Sequence, residues 1–158
     1  MDEGAKAKLL KGIPYGLYAI GVRSGEEANA FTANWLTQCS FAPPLLALAV
    51  ENDGRSVALL REAGAFSVNF WAAGQRREAA RLARPAARAP GKLAEFAHRP
   101  GTTGAPLLTD TLGYLECRIT EARPAGDHTL FVGEIVAAGL FGEGDMLDLK
   151  TAGFSYAG

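Results

Sequence analysis

The stretch Asn29-Ala30-Phe31-Thr32-Ala33-Asn34-Trp35-Leu36-Thr37-Gln38-Cys39-Ser40-Phe41-Ala42-Pro43-Pro44 is too polar for a buried strand and too apolar for a loop. Short hydroxyl and amide side chains are interleaved there with flat apolar ones. This mixture suits a planar heteroaromatic ligand with carbonyl and ring-nitrogen acceptors, whose edge meets N–H and hydroxyl groups while its face meets apolar surface. The competing reading is an ordinary amphipathic strand with a polar side facing solvent. Cys39 invites thiol redox chemistry, against which stands the plainer reading of a small residue within a strand.

The rest of the reactive inventory is sparse. Cys39 and Cys117 are the only cysteines and lie in different strand-like segments, so no disulfide framework is expected. His98 and His128 are the only histidines, and neither is spaced against a cysteine in a zinc-like pattern. No metal site is expected, and difficult redox chemistry would need an organic cofactor. Neither Gly-x-Gly-x-x-Gly nor a Walker loop follows a strand. From Gly74 to Arg99 the composition turns basic, with Arg76, Arg77, Arg81, Arg84, Arg88, Lys92 and Arg99 against Glu78 and Glu95. That run is either a solvated helix followed by a loop or a rim that attracts a nucleotide phosphate.

These residues need elements to position them. Ile13 to Val22 is β-rich, the Ser24 to Glu27 cluster is a hairpin turn, and a second strand starts near Ala28 and is broken by Pro43 and Pro44. Leu45 to Val50 is an apolar run suited to a strand buried on both faces. Asn52-Asp53-Gly54 is turn chemistry leading to a short helix through Val57, Leu59, Leu60 and Ala63, with Ser56 or Asp53 as its N-cap and Gly64 as its stop. Phe66 to Phe70 alternates as a strand. A helical pattern follows Gly74 until Pro85, with a further helical turn or two from Lys92 to Ala97. Leu115 to Thr120 and Leu130 to Val136 form a hairpin across the Pro124 to Asp127 turn. Gly142 to Asp148 is a loop, and Thr151 to Tyr156 adds a last short strand. Many strands with few helices between them predict a mainly β, antiparallel barrel, because parallel neighbours would need repeated crossover helices.

In this arrangement the chain resembles the flavin reductase-like, FMN-binding split-barrel family, with a Greek-key-like fold over one domain of residues 1–158 and a core at about 13–156. Four ordered landmarks carry the resemblance: the Thr32 to Ser40 segment running into Pro43-Pro44, the Asn52 to Ser56 turn, the Phe66 to Phe70 strand followed by Gln75, and Gly126-Asp127-His128 leading into Leu130 to Glu134. The resemblance implies that Thr32, Ala33, Asn34, Trp35, Thr37, Cys39 and Ser40 lie along the isoalloxazine ring and ribityl chain. It implies that Arg55 and Ser56 meet the FMN phosphate, which agrees with the preference of a helix start beside a cation for a dianion. It places His128 close to the flavin or the incoming nicotinamide, as the catalytic candidate, with a satisfied turn histidine as the competing view. It implies that Tyr156 closes the pocket, from the partner or from its own chain, with Phe154 as a core residue. Trp35 stands where many reductases have a small residue, often Ser, so its ring shapes or partly covers the site.

The activity so implied is flavin reduction by NADH or NADPH, with electrons passed to an acceptor or a monooxygenase partner. An electron-transfer flavoprotein with tightly held FMN is the alternative, and a ligand-binding barrel without redox chemistry is the third. The family forms homodimers, so a twofold dimer is expected. In 158 residues, 16 basic against 17 acidic side chains give a net charge of -1, without the surplus of a nucleic-acid binder. No stretch approaches the ~20 apolar residues of a membrane span, and Met1 to Gly12 lacks the apolar core of a secretion signal, so a cytoplasmic protein is expected.

Overall fold

The computed structural model describes residues 1–52 and 54–156. Its elements in order are α1 (Glu3–Gly12), β1 (Tyr18–Ser24), β2 (Glu27–Ala33), β3 (Leu36–Phe41), β4 (Pro44–Glu51), α2 (Arg55–Ala63), β5 (Ala65–Phe70), α3 (Arg76–Leu82), a 3-10 turn (Lys92–Glu95), β6 (His98–Pro100), β7 (Pro106–Leu108), β8 (Gly113–Ala125) and β9 (His128–Leu140). Seven strands form one sheet in the order β2-β1-β5-β8-β9-β4-β3, and every pairing in it is antiparallel. The two outermost strands, β2 and β3, are consecutive in the chain and joined only by Asn34 and Trp35. So short a link brings the two edges of the sheet together at that point, which bends the sheet into a barrel split between β2 and β3.

One face of the sheet closes on Ile20, Val22, Leu48, Phe66, Val68 and Phe131, and α2 adds Leu59 and Leu60 to this core. Gly54 is the N-cap of α2 and Gly64 its C-cap, whose φ of 63° is the left-handed geometry that favours glycine. A second core, on the other side of β1, joins Ala19 to Trp71, Leu82, Leu108 and Leu147. β1 is therefore buried on both faces, and Gly21 sits where a Cβ would strike the Pro106 carbonyl and the Ser67 hydroxyl. Asn69 fastens the β6–β7 hairpin over this region: its Nδ2 donates to the Ala19 carbonyl at 3.1 Å and its Oδ1 accepts from Leu108 N at 2.8 Å. No helix among the described residues is long and apolar enough to cross a membrane.

Several boundaries differ from the sequence-based expectation. β1 begins at Tyr18 rather than Ile13, because α1 occupies Glu3–Gly12, with Ile13 at its C-cap, and Pro14 and Gly16 separate the two elements. The single strand expected from Ala28 to the prolines is two, interrupted at Asn34-Trp35. Thr151 to Tyr156 is not a strand: Asp148 accepts from Thr151 N at 2.7 Å and folds the segment into turns. Ser56 is not the cap of α2, since Gly54 occupies that position, and Asp53, the other candidate, lies outside the described residues.

Candidate functional site

The interruption between β2 and β3 exists because neither Asn34 nor Trp35 extends a strand. Leu36 N donates to the Asn34 carbonyl at 3.0 Å, and the Trp35 carbonyl accepts from Ala49 N of β4 at 3.0 Å. The backbone is thus held while the side chains turn to the seam. Asn34 is 7% exposed, and its Nδ2, like Trp35 Nε1, is buried without a hydrogen-bond partner. Two adjacent unpaired donors are costly in a folded protein unless a ligand or water supplies acceptors.

Behind the seam lies a cavity of about 340 Å³. Thr32, Ala33 and Asn34 line it from the end of β2, and Ala49, Val50 and Glu51 from the end of β4. Leu17, Phe31 and Phe154 supply apolar surface. The Thr32 hydroxyl donates to the Ala79 carbonyl at 2.8 Å, fixing β2 to α3 and leaving its oxygen as an acceptor. Gly54 and Ser56 form the end of the cavity at the start of α2. Gly54 has no side chain to cap α2, and among the described residues no side chain caps its first turn, so its first-turn N–H groups suit an anion.

Arg55, at the first position of α2, turns away to Glu27, with Nη2 2.8 Å from Oε2, and to Glu62 at 3.4 Å. These partners raise its pKa, and the Arg55 hydrogen bond holds the Glu27 carboxyl below the ordinary value.

His128, the first residue of β9, stands opposite Glu51 in the β4–β9 ladder. Its Nδ1 lies 2.6 Å from Asp127 Oδ1 and its Nε2 3.0 Å from the Tyr156 hydroxyl, which donates in turn to Glu51 Oε2 at 3.3 Å. The hydrogen bond from His128 is the main reason the Asp127 carboxyl sits below its usual range. Trp35 packs against both rings, 4.6 Å from the His128 centroid and 5.3 Å from that of Tyr156.

The expected site residues therefore separate into groups. Thr32, Ala33, Asn34, Ser56 and Tyr156 line one cavity, while Trp35 and His128 pack at its Tyr156 side. Thr37 and Cys39 are exposed on β3 and Ser40 is half-buried there; none of the three lines the cavity. Glu51 was not among the expected residues, since only the register with His128 brings it to the site. Among the described residues no group of His, Cys, Asp and Glu is arranged to hold a metal ion.

The cavity fits a ligand with a flat acceptor-rich ring at one end and an anion at the other: the Asn34 side chain stands at the seam, and among the described residues no side chain caps the N–H groups at the helix start. Residues 10–153 match the family model for the flavin reductase like domain. An NADH-dependent FMN reductase of Streptomyces nodosus subsp. asukaensis is 34% identical over 126 residues, which span 78% of this chain and 67% of that protein. A putative diflavin flavoprotein of Synechocystis is 32% identical over 113 residues, 71% of this chain but only 19% of that longer protein. The flavin reductase component of a bacterial two-component tryptophan halogenase superposes with a TM-score of 0.81 at 31% identity, over 99% of this chain and 98% of that one. The seam, the split barrel and these matches lead to one conclusion: the chain belongs to the flavin reductase like domain family.

Proposed function

We propose that this chain binds FMN in the seam cavity and reduces it with NADH or NADPH, delivering the electrons to an acceptor such as a partner oxygenase. The observation that carries the reading is the meeting, in one cavity, of the Asn34 side chain, whose Nδ2 has no hydrogen-bond partner, with the start of α2, which no described side chain caps. When bound, FMN supplies the hydride-accepting ring system. The chain's residues bind and orient. With FMN in the cavity, Asn34 Nδ2 would donate to a ring acceptor, Trp35 would back the ring end through Tyr156, and the first-turn N–H groups at Arg55 and Ser56 would hold the phosphate. Phe154 and Tyr156 shield the cavity from water. His128, aligned by Asp127 and Tyr156, is the hydrogen-bonding imidazole at the ring end. Relatives named as NADH-dependent reductases and as a halogenase component support both the donor and the acceptor class.

The test is a titration of the purified protein with FMN followed by stopped-flow mixing with NADH and NADPH. Saturable binding with fast bleaching by either donor is expected, and a protein that fails to bind FMN overturns the reading. Trp35, which covers one face of His128, favours an electron-transfer flavoprotein as the second reading; slow bleaching by both donors with tightly bound FMN would select it. A homodimer accords with the exposed apolar side chains Phe41 (89%) and Leu140 (84%). A cytoplasmic location accords with two free cysteines.

A further inference from the structure

Glu51 is the one carboxylate lining the seam cavity among the described residues. It ends β4, where the apolar alternation of Leu46, Leu48 and Val50 gives way to the turn before α2. A lone carboxylate beside an anion-binding helix start is unfavourable for phosphate recognition alone, so its presence asks for a different partner. One of its oxygens is already placed: Oε2 accepts from the Tyr156 hydroxyl. The other, Oε1, has no hydrogen-bond partner among the described residues. A carboxylate oxygen is acceptor only, so what it lacks is a donor.

Its position narrows what that donor is. Tyr156 touches the Trp35 ring on one side and Glu51 on the other, so Glu51 is one side chain away from the ring end of the cavity. Along the chain it is three residues before Gly54, where the anion end begins. A ligand that reaches from one end to the other passes Glu51 with its middle. We infer that Glu51 is the specificity residue for a polyhydroxylated linker, accepting hydrogen bonds from the ribityl hydroxyls of the flavin through Oε1, with Tyr156 as the positioning residue that orients the carboxylate. This assignment rests on the FMN reading above. It adds a selection rule that the ring and phosphate contacts lack: a flavin without the hydroxylated chain leaves the exposed carboxylate to water and forgoes a hydrogen bond to a charged acceptor.

Three flavins separate this from a merely structural role. Lumiflavin has the ring alone, riboflavin adds the ribityl chain, and FMN adds the phosphate. Dissociation constants are measured by flavin fluorescence on the flavin-free protein, for the unaltered chain and for Glu51→Ala, Glu51→Gln and Tyr156→Phe, with thermal melts to verify folding. The unaltered chain should bind riboflavin about tenfold or more tightly than lumiflavin, the gap of one hydrogen bond to a charged acceptor. Glu51→Ala should erase that gap and weaken FMN and riboflavin alike while leaving lumiflavin unchanged. Glu51→Gln, which keeps a carbonyl acceptor, should retain part of the gap, and Tyr156→Phe should narrow it. Equal weakening of all three ligands, an unaltered chain with no riboflavin preference, or an unchanged gap in Glu51→Ala overturns the assignment. If a Glu51 variant unfolds, the Tyr156→Phe series decides by the same criterion. Failure of the unaltered chain to bind any flavin would instead sink the FMN reading itself.

Discussion

Trp35 lies with its ring centroid 4.6 Å from that of His128, the two planes inclined by 31°. The tryptophan comes from the link between the sheet's edge strands and the histidine from the first position of β9, so a single ring contact joins the seam to the second strand in from the β3 edge. The same indole meets Tyr156, making it the common packing partner of both polar rings.

Replacing Trp35 by Ala should therefore loosen two contacts at once. Aromatic pairs of this kind contribute about 0.5–1.5 kcal/mol beyond their buried area. FMN affinity should fall by about tenfold, and the turn segment that carries Tyr156 should become more sensitive to limited proteolysis. Unchanged affinity and unchanged cleavage would show that the ring contributes to neither.

Arg55 offers a sharp test of the anion end. It is bound to Glu27 and Glu62, and these partners compete with any phosphate at the start of α2. Glu27→Gln should release the guanidinium and tighten FMN by about two- to fivefold at low salt, an effect of the size of an exposed ion pair. Arg55→Ala should weaken FMN but not riboflavin. Calorimetric titration with both ligands gives the comparison, and an equal effect on the two would separate Arg55 from the phosphate.

Lys92 predicts a pH dependence of stability. The residue is 4% exposed, and its Nζ donates to the Leu82 and Arg84 carbonyls, each at 2.6 Å, at the end of α3. Burial, reinforced by Arg84, lowers its pKa from 10.5 to about 8. Between those two values the unfolded chain binds more protons than the folded one, so stability from this group increases as pH rises from about 8 towards 10.5. Thermal melts across this window should show a midpoint gain of about a few degrees that Lys92→Met removes. A gain that survives the substitution would assign it elsewhere.

The two thiols should differ in reactivity. Cys39 is exposed on β3, whereas Cys117 is buried in the barrel core, with burial and the neighbouring Glu116 pushing its pKa up to about 12. A thiolate is the reactive species, so an aromatic disulfide reagent should titrate one thiol in the native protein and two after denaturation. Two fast thiols in the native state would contradict the buried position of Cys117.

Much of the barrel is legible in the sequence because its strands announce themselves locally. Leu45 to Val50, Phe66 to Phe70 and the pair around Gly126-Asp127 carry apolar alternation or runs bounded by turn residues, and each is a strand in the structure. α1 escaped for the opposite reason: none of its residues is buried, so no apolar stripe marks it and only alanine and lysine propensity betray it. The break at Asn34-Trp35 is invisible because the residues on both sides favour strand, and only closure of the barrel demands it. The three-residue strands β6 and β7 are too short for any period, and their existence depends on Asn69 and Ser67 beneath them. For the site, the polar-aromatic segment is recognisable by composition. Glu51 is not, because its meaning lies in a cross-strand register and in a tyrosine 105 residues away.

The two-residue span from Ala33 to Leu36 also acts as a gauge. The three Cα–Cα steps from Ala33 to Leu36 bridge only about 10 Å when fully stretched, so the gap between the sheet's margins is capped at that end, whatever happens at the opposite end near Glu27 and Phe41. Circumference is thus regulated by chain length rather than by ladder bonds. Inserting a single glycine there would let the mouth gape while leaving every rung of the sheet intact.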